Sequence, residues 1–310
     1  MKLLIELPTW LGDAVMATPA IENIISHFKN VEITLIGSLV SVEALQNHPS
    51  VIKTYIVDKG FSSFYKTLSD LDEFDLFFSF RGSLRAKLFK LFVSSKVKNQ
   101  YFKDKYKRGH QVEKYNSFIN DSLGMDSKPG RLIVHSKYQK KINKNRILGI
   151  NPGAAFGNAK QWYPENFAKV ALGLSTEYDI IIFGGPQDYD IAKDIESYLI
   201  EMGVVNYRNL ATKLSVTQLI SQIENLDLLV TCDSGPMHLA AALKIPTVAI
   251  FGPTKVNETS QWMNKKSIVV KKNFECQPCM KKSCPLQHHN CMKSIDESDI
   301  LDAAKSLISL

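Results

Sequence analysis

The sequence predicts an α/β protein built of two doubly wound domains, each a parallel sheet covered on both faces by helices. Three observations carry this. Short apolar runs of strand length alternate with stretches of helical period along most of the chain. The alternation stops at one polar, charged segment, residues 137–145, and then restarts. A length of 310 residues, with 45% hydrophobic and 22% charged residues, suits two globular domains better than one. Domains are therefore expected at residues 1–140 and 146–310.

Taken in order, the first half reads as strands at residues 3–7, 32–36, 52–57 and 76–80. Helices are expected between and after them at 13–28, 42–47, 61–71 and 83–93. The second half places strands at 147–151, 180–183, 228–231 and 247–251, with helices near 164–175, 189–202, 217–224 and 236–243. The strands are short runs rich in Leu, Ile, Val and Phe, as buried parallel strands require. In such arrays a ligand lies outside the carboxyl ends of the strands, here expected in a cleft between the domains. There is no short-period repeat. No apolar run reaches the length of a membrane span, and the apolar start is broken at Glu6 and Pro8. It reads as a first strand rather than a signal peptide, and the expected location is cytoplasmic.

The net charge of +7 is unevenly placed. Residues 1–145 hold 22 Lys and Arg against 14 Asp and Glu, whereas residues 146–310 hold 16 against 17. Between Arg81 and Lys114, eleven basic residues face only Asp104 and Glu113. Such a half suits an acidic partner: anionic lipid, a phosphorylated glycan or nucleic acid. A merely solvated basic surface is the plain alternative.

The motif with most chemistry is the run from Leu228 into Asp233-Ser234-Gly235-Pro236-Met237-His238. A strand ending in this turn delivers the chain to a helix N-terminus, where unpaired N–H groups and the macrodipole favour a phosphate. Asp233 and Ser234 are also ordinary helix-capping residues. His238, one turn in, would face the same ligand. At the first strand-to-helix turn, Gly12 permits a tight turn and Asp13 falls in the first helical turn, either as a cap or projecting into the cleft. Trp10 beside it is a staple or a sugar-stacking platform. This turn is not the GxGxxG fingerprint, which argues against a nicotinamide or flavin oxidoreductase. After the strand at 147–151, Lys160 reaches from a small-residue loop as a point charge for a phosphate. Asp188, just past the next strand, suits a ribose hydroxyl pair or caps a helix. Leu214 offers an apolar wall for a base.

Together the segments Pro8-Thr-Trp-Leu-Gly-Asp13, Pro152-Gly-Ala-Ala-Phe-Gly-Asn-Ala-Lys160, Phe183-Gly-Gly, Asn209-Leu-Ala, Asp233-Ser-Gly-Pro-Met-His238 and Phe251-Gly-Pro-Thr254 resemble the ADP-heptose:lipopolysaccharide heptosyltransferases. The branch that adds the second heptose is the nearer match, with first-heptose transfer as the alternative. Each motif is short, and their order across most of the chain makes the combination specific. The resemblance implies a GT-B architecture, with acceptor bound by the N-terminal domain and ADP-heptose, the donor substrate, by the C-terminal one. It implies inverting transfer with Asp13 as base, and with Lys160 and the backbone N–H groups of residues 234–238 stabilising departing ADP. No metal is required by this scheme.

Asp188, Leu214, Asp233, Ser234, Gly235, Met237 and His238 fall to the donor nucleotide, and Trp10 and Gly12 to the acceptor; Arg81, Arg85 and Lys87, in a stretch the resemblance does not match, are assigned to the acceptor from their place at and just after a strand end. The acceptor implied is the Kdo-lipid A inner core, met by peripheral attachment to the anionic cytoplasmic face of the inner membrane, with no nucleic-acid partner. Two departures stand out. Ala154-Ala155-Phe156 lacks the hydroxyls some relatives place before the matching lysine, and Asp188 is shorter than the Glu some use at the ribose.

Cys276, Cys279, Cys284 and Cys291 lie within sixteen residues, with His288 and His289 among them. This spacing suits structural zinc, with reduced thiols and occasional disulfides the favoured reading. Cys232, in a strand, reads as core. A nucleic-acid-binding protein would explain the basic stretch with Tyr101, Phe102 and Tyr106, but not the conjunction of Asp13, Lys160 and the Asp233–His238 turn. A GT-B epimerase or a UDP-sugar transferase remains a further alternative.

Overall fold

The computed structural model describes residues 1–57, 67–137 and 145–308. It divides into two compact units, Met1–Lys137 and Tyr138–Leu310. Most of the helix expected at 61–71, and most of the polar segment at 137–145, lie outside the described residues.

The first unit is a five-stranded parallel sheet, ordered β3-β2-β1-β4-β5. Its strands are β1 (Lys2–Glu6), β2 (Glu32–Gly37), β3 (Val51–Ile56), β4 (Phe74–Ser79) and β5 (Ser95–Gln100). Central β1 is apolar without alternation, and Leu3, Leu4 and Ile5 are fully buried because helices cover both faces. Edge strand β5, Ser-Lys-Val-Lys-Asn-Gln, was not expected. An edge needs little burial and gains from lysines that discourage further pairing, so its apolar signal is weak.

The helix expected at 13–28 is two helices, α1 (Leu11–Met16) and α2 (Thr18–Phe28). Pro19 has no N–H to continue the ladder, and the Thr18 hydroxyl donates to the Val15 carbonyl instead, at 2.7 Å. Next come α3 (Leu39–Leu45) and α4 (Leu84–Phe92), whose caps Ser38 and Ser83 accept from Ser41 and Ala86 N–H. The last, α5 (Gln111–Leu123), opens on a capping box between His110 and Glu113 and closes on Gly124 at φ 64°.

The second unit is a six-stranded parallel sheet, ordered β11-β10-β9-β6-β7-β8. Its strands are β6 (Arg146–Asn151), β7 (Tyr178–Ile182), β8 (Tyr207–Asn209), β9 (Leu228–Cys232), β10 (Thr247–Ile250) and β11 (Ser267–Val270). Its helices are α6 (Pro164–Leu174), α7 (Tyr189–Glu201), α8 (Val216–Glu224), α9 (Gly235–Ala242), α10 (Val256–Thr259), α11 (Asn290–Lys293) and α12 (Glu297–Ile308). The core joins Leu148, Ile150, Ile182 and Val230 of the sheet to Phe167, Ile195 and Ile300 of the helices. Unexpected α12 packs against α6, β10 and β11. Trp162 is buried beside it and donates its indole N–H to the Ile295 carbonyl at 3.0 Å.

In both sheets the chain winds outward in two directions from a central pair, β1/β4 in the first unit and β6/β9 in the second. The loops leaving such a pair diverge and open a crevice at the strands' carboxyl ends, the general ligand position of open α/β sheets. Residues 10–13 and 81–85 follow β1 and β4; residues 152–160 and 233–238 follow β6 and β9. Among the described residues, no helix is long and apolar enough to cross a membrane.

Candidate active site

In the first unit the crevice is acidic at its floor and basic at its rim. Glu6, the last residue of β1, is buried; its carboxylate accepts from the Ser79 hydroxyl and lies 3.6 Å from the Arg81 guanidinium. Burial raises the Glu6 carboxyl above its ordinary value, opposed by the Ser79 hydrogen bond and the charges of Arg81 and Arg85. Gln100 and Ser79 bind the backbone at Arg81, fixing the turn after β4. Arg81 and Arg85 are thus gathered around Glu6. Lys87 is not: its ammonium lies 5.9 Å from the Phe102 ring centroid, on the outer side of α4.

Asp13 is half-buried in α1, and Trp10, at the N-cap, is 57% exposed, so it is no staple. Behind Asp13 stands Tyr115 of α5, wholly buried. Its hydroxyl is held well above the ordinary phenol value, first by burial and then by the Asp13 charge. Gly12 adjoins Asp13 in the same turn.

In the second unit the expected phosphate residues converge. The Lys160 ammonium lies 2.6 Å from the Asp233 carboxylate, with the two side chains 13% and 4% exposed. The same carboxylate oxygen accepts from the buried Thr254 hydroxyl at 2.7 Å. Lys160 also sits 4.9 Å from the Phe156 ring centroid, so the loop that lacks hydroxyls supplies an aromatic face to the cation instead. Asn151, at the end of β6, donates to the hydroxyls of Thr231 and Ser234 at 3.1 and 3.0 Å and ties the two central strand ends together.

Ser234 is the N-cap of α9 in extended backbone, with Gly235 and Pro236 opening the helix. His238 is buried one turn in, and the Met237 side chain is in the core against Ala249 and Phe251, leaving that position only its backbone to offer a ligand. Leu214 is half-buried in the loop before α8. Asp188 accepts from the Gly185 N–H at 2.8 Å and from the Ala154 backbone, and burial raises its carboxyl above the ordinary value. A Cβ at Gly153 would strike that carboxylate, so the loop approaches Asp188 as closely as glycine allows.

The cysteine-rich segment braces this loop. Ala159 N–H donates to the Lys282 carbonyl at 3.0 Å, and Gly157, at φ 152°, leaves no room there for a Cβ. The His289 ring meets the Ala159 carbonyl at 3.0 Å and the Tyr163 hydroxyl at 3.1 Å. On the other side, Gln277 donates to the Gly252 carbonyl and Met280 N–H to the Pro253 carbonyl. Among the described residues, no three His, Cys, Asp or Glu side chains are placed to hold a metal ion, while the four thiols Cys276, Cys279, Cys284 and Cys291 lie near enough for the first three to act on the fourth. Nearby, His289 is engaged as above, His288 accepts from the Asn290 N–H, and the Cys284 sulfur accepts from the His289 N–H. All five thiols are free; burial and the other three thiols of the segment push the Cys291 thiol up to about 11, and burial pushes that of core Cys232 up to about 12.

Comparison with known proteins identifies the group to which this chain belongs. The family model for glycosyltransferase family 9 (heptosyltransferase) matches residues 76–290. The chain belongs to glycosyltransferase family 9. It is 41% identical over 317 residues to lipooligosaccharide heptosyltransferase 2 of Campylobacter jejuni, an alignment covering 99% of this chain and 98% of that one. The solved ADP-heptose lps heptosyltransferase II of E. coli matches with a TM-score of 0.83 and 22% identity, over 99% of this chain and 98% of that one. E. coli heptosyltransferase WaaC with ADP matches at 0.80 and 14% identity, over 99% and 100%. The fold of this glycosyltransferase is therefore GT-B, as its two parallel-sheet units indicate.

Several residues that shape these clusters in the glycosyltransferase carry little signal in the sequence. Glu6 was read only as the end of an apolar run, although a carboxylate ending a central strand is itself a signal. Thr254 and Asn151 lay inside motifs without being singled out. Tyr115 and His289 gave no local signal, since their partners are distant in the chain.

Proposed function

We propose that this glycosyltransferase moves heptose from ADP-L-glycero-β-D-manno-heptose to a lipopolysaccharide inner core already carrying one heptose, with inversion at the anomeric carbon. The observation that carries the reading is the Lys160–Asp233–Thr254 cluster at the opening of α9, in a chain similar along nearly its whole length to a lipooligosaccharide heptosyltransferase 2.

In this reading Asp13 takes the proton of the acceptor hydroxyl as its oxygen bonds to the anomeric carbon. The bond from that carbon to the β-phosphate oxygen breaks and ADP leaves with the electron pair. Lys160 and the N–H groups at the start of α9 meet the charge that develops on the phosphate, where preorganised donors act best. Asp233 and Thr254 hold Lys160 in place. Asp188 and Leu214 serve the ribose and base. Trp10, Arg81 and Arg85 serve an anionic sugar acceptor. The basic first half supports peripheral attachment at an anionic membrane, on the cytoplasmic face where ADP-sugars are available.

The deciding experiment is transfer from the ADP-heptose donor to Kdo-lipid A with and without a first heptose, read by mass spectrometry. Addition only to the pre-heptosylated acceptor is expected. Addition to the heptose-free acceptor reassigns the enzyme to the first heptose, and stabilisation by UDP-sugars rather than ADP-heptose overturns the donor. Asp13→Ala is expected to lose turnover while keeping ADP affinity; an active variant would remove Asp13 from the role of base.

A further inference from the structure

Among the described residues, nothing covers the outward face of α4, although it is apolar. Ala86, Phe89 and, just beyond the helix, Val93 point into the unit and are buried. Leu84, Leu88 and Leu91, spaced four and three residues apart, form a second apolar stripe on the opposite side, 74%, 41% and 70% exposed, with Phe92 beside them at 61%. A helix that only covers a sheet carries polar residues there.

The surroundings are uniformly basic. Residues 81–103 hold seven Lys and Arg and no Asp or Glu. At about 100° per residue, Arg85 flanks the stripe on one side and Lys87 and Lys90 on the other. The Lys98 ammonium donates to the Leu91 carbonyl at 3.2 Å, and Lys87 lies against exposed Phe102.

We infer that α4 is a membrane-docking helix, which lays Leu84, Leu88, Leu91 and Phe92 into the headgroup and acyl boundary of an anionic bilayer while Lys87, Lys90 and Lys98 meet the lipid phosphates. Aliphatic tips flanked by basic residues are the composition of an interfacial amphipathic helix; leucines gain from hydrocarbon and offer nothing for bases to stack on. Long basic side chains reach up from the buried face to the headgroups. The position adds a functional reason. The stripe begins at Leu84, three residues after Arg81, so the crevice rim and the lipid-facing helix share one turn of chain. An acceptor whose acyl chains stay in the bilayer thereby presents its sugar headgroup beside Arg81 and Arg85. This inference rests on the reading that the acceptor is lipid-borne.

The test is flotation of the full-length protein with vesicles of phosphatidylethanolamine and phosphatidylglycerol, against phosphatidylcholine alone, beside transfer to vesicle-embedded and to deacylated, water-soluble acceptor. Wild type is expected to float with the anionic vesicles. Leu84→Asp/Leu91→Asp is expected to bind them at least about tenfold more weakly, to lose transfer to the embedded acceptor by a similar factor, and to keep transfer to the soluble one. Val205→Asp, an equally exposed apolar site in the second unit, is expected to change neither. Unchanged flotation of the double variant overturns the inference. So does a fall in oligomeric mass in that variant, which would make the stripe a protein interface, or an equal loss on the soluble acceptor. If wild type transfers heptose to neither acceptor, the proposed function fails while flotation still decides the role of α4.

Discussion

At the scale of single residues, the buried charges carry the sharpest consequences. Lys160 and Asp233 are far enough from solvent that removing one leaves the other unpaired in a poorly polarisable setting. Lys160→Ala is therefore expected to cost about 3 kcal/mol or more of stability in urea unfolding at neutral pH, with the Thr254 hydroxyl alone left on Asp233. Adding Asp233→Asn should recover much of that loss; a double variant no more stable than the single one would mean the pair is not the source. Glu6 gives a pH signature. Because burial outweighs Ser79, Arg81 and Arg85 and raises its carboxyl above 4.5, the folded state holds that proton more tightly than the unfolded chain does. Its contribution is complete below 4.5 and is lost as pH rises through the raised folded value. The melting temperature of Glu6→Gln relative to wild type should thus climb as pH rises from below 4.5 to 7. A difference that falls instead would make the Arg81 ion pair the dominant interaction.

At the scale of elements, the cysteine-rich segment matters through what it touches. It holds the Lys160 loop by the Ala159–Lys282 hydrogen bond and by the His289 ring, and the loop after β10 by Gln277 and Met280. His289→Ala is expected to weaken ADP binding and lower turnover together, since Lys160 loses its fixed position. The cost in stability should be only about 1–2 kcal/mol, the order of one or two hydrogen bonds. His289→Gln, able to donate to the Ala159 carbonyl, should restore part of the ADP affinity; recovery of stability without affinity would leave the histidine a purely structural role. The elements that escaped sequence reading share a physical cause. Strands β5, β8 and β11 lie outermost or are only three residues long, so they bury little. Helix α5 buries Lys114 and Asn116 among its apolar residues, and Asn116 is satisfied by Asn23 and Ser127, so its apolar period is interrupted.

At the scale of the whole molecule, the excess positive charge falls in the first half of the chain, and the proposed donor and acceptor roles fall to different units. ADP alone should protect backbone amides from hydrogen exchange after β6 and β9, at residues 153–160 and 233–238, while leaving those at 10–13 and 81–85 unaffected. Equal protection of both sets would mean the nucleotide also engages the first unit. Much of this plan was legible before any coordinates. The central strands β1, β6 and β9 stand in the sequence as apolar runs, and Asp13, Lys160 and Asp233 stand out in the segments just beyond them, because burial on both faces and a turn at a strand end are properties of consecutive residues. The basic stretch was equally plain, since charge is counted along the chain. Strand order was not: that β1 adjoins β4 and β6 adjoins β9 follows from how helices pack on each face. Nor were the partners. Lys160 meets Asp233, and Glu6 meets Ser79, across 73 residues of chain in each case, and the His289 brace spans 130. By itself, then, the sequence determined the fold class, the family resemblance and which loops carry chemistry, because those are local patterns of apolarity, turn residues and charge. Only the tertiary structure decided which of those residues neutralise one another, that the cysteine-rich segment braces the Lys160 loop, and that one face of α4 is left apolar and uncovered among the described residues, because each depends on contacts between residues that the chain keeps far apart.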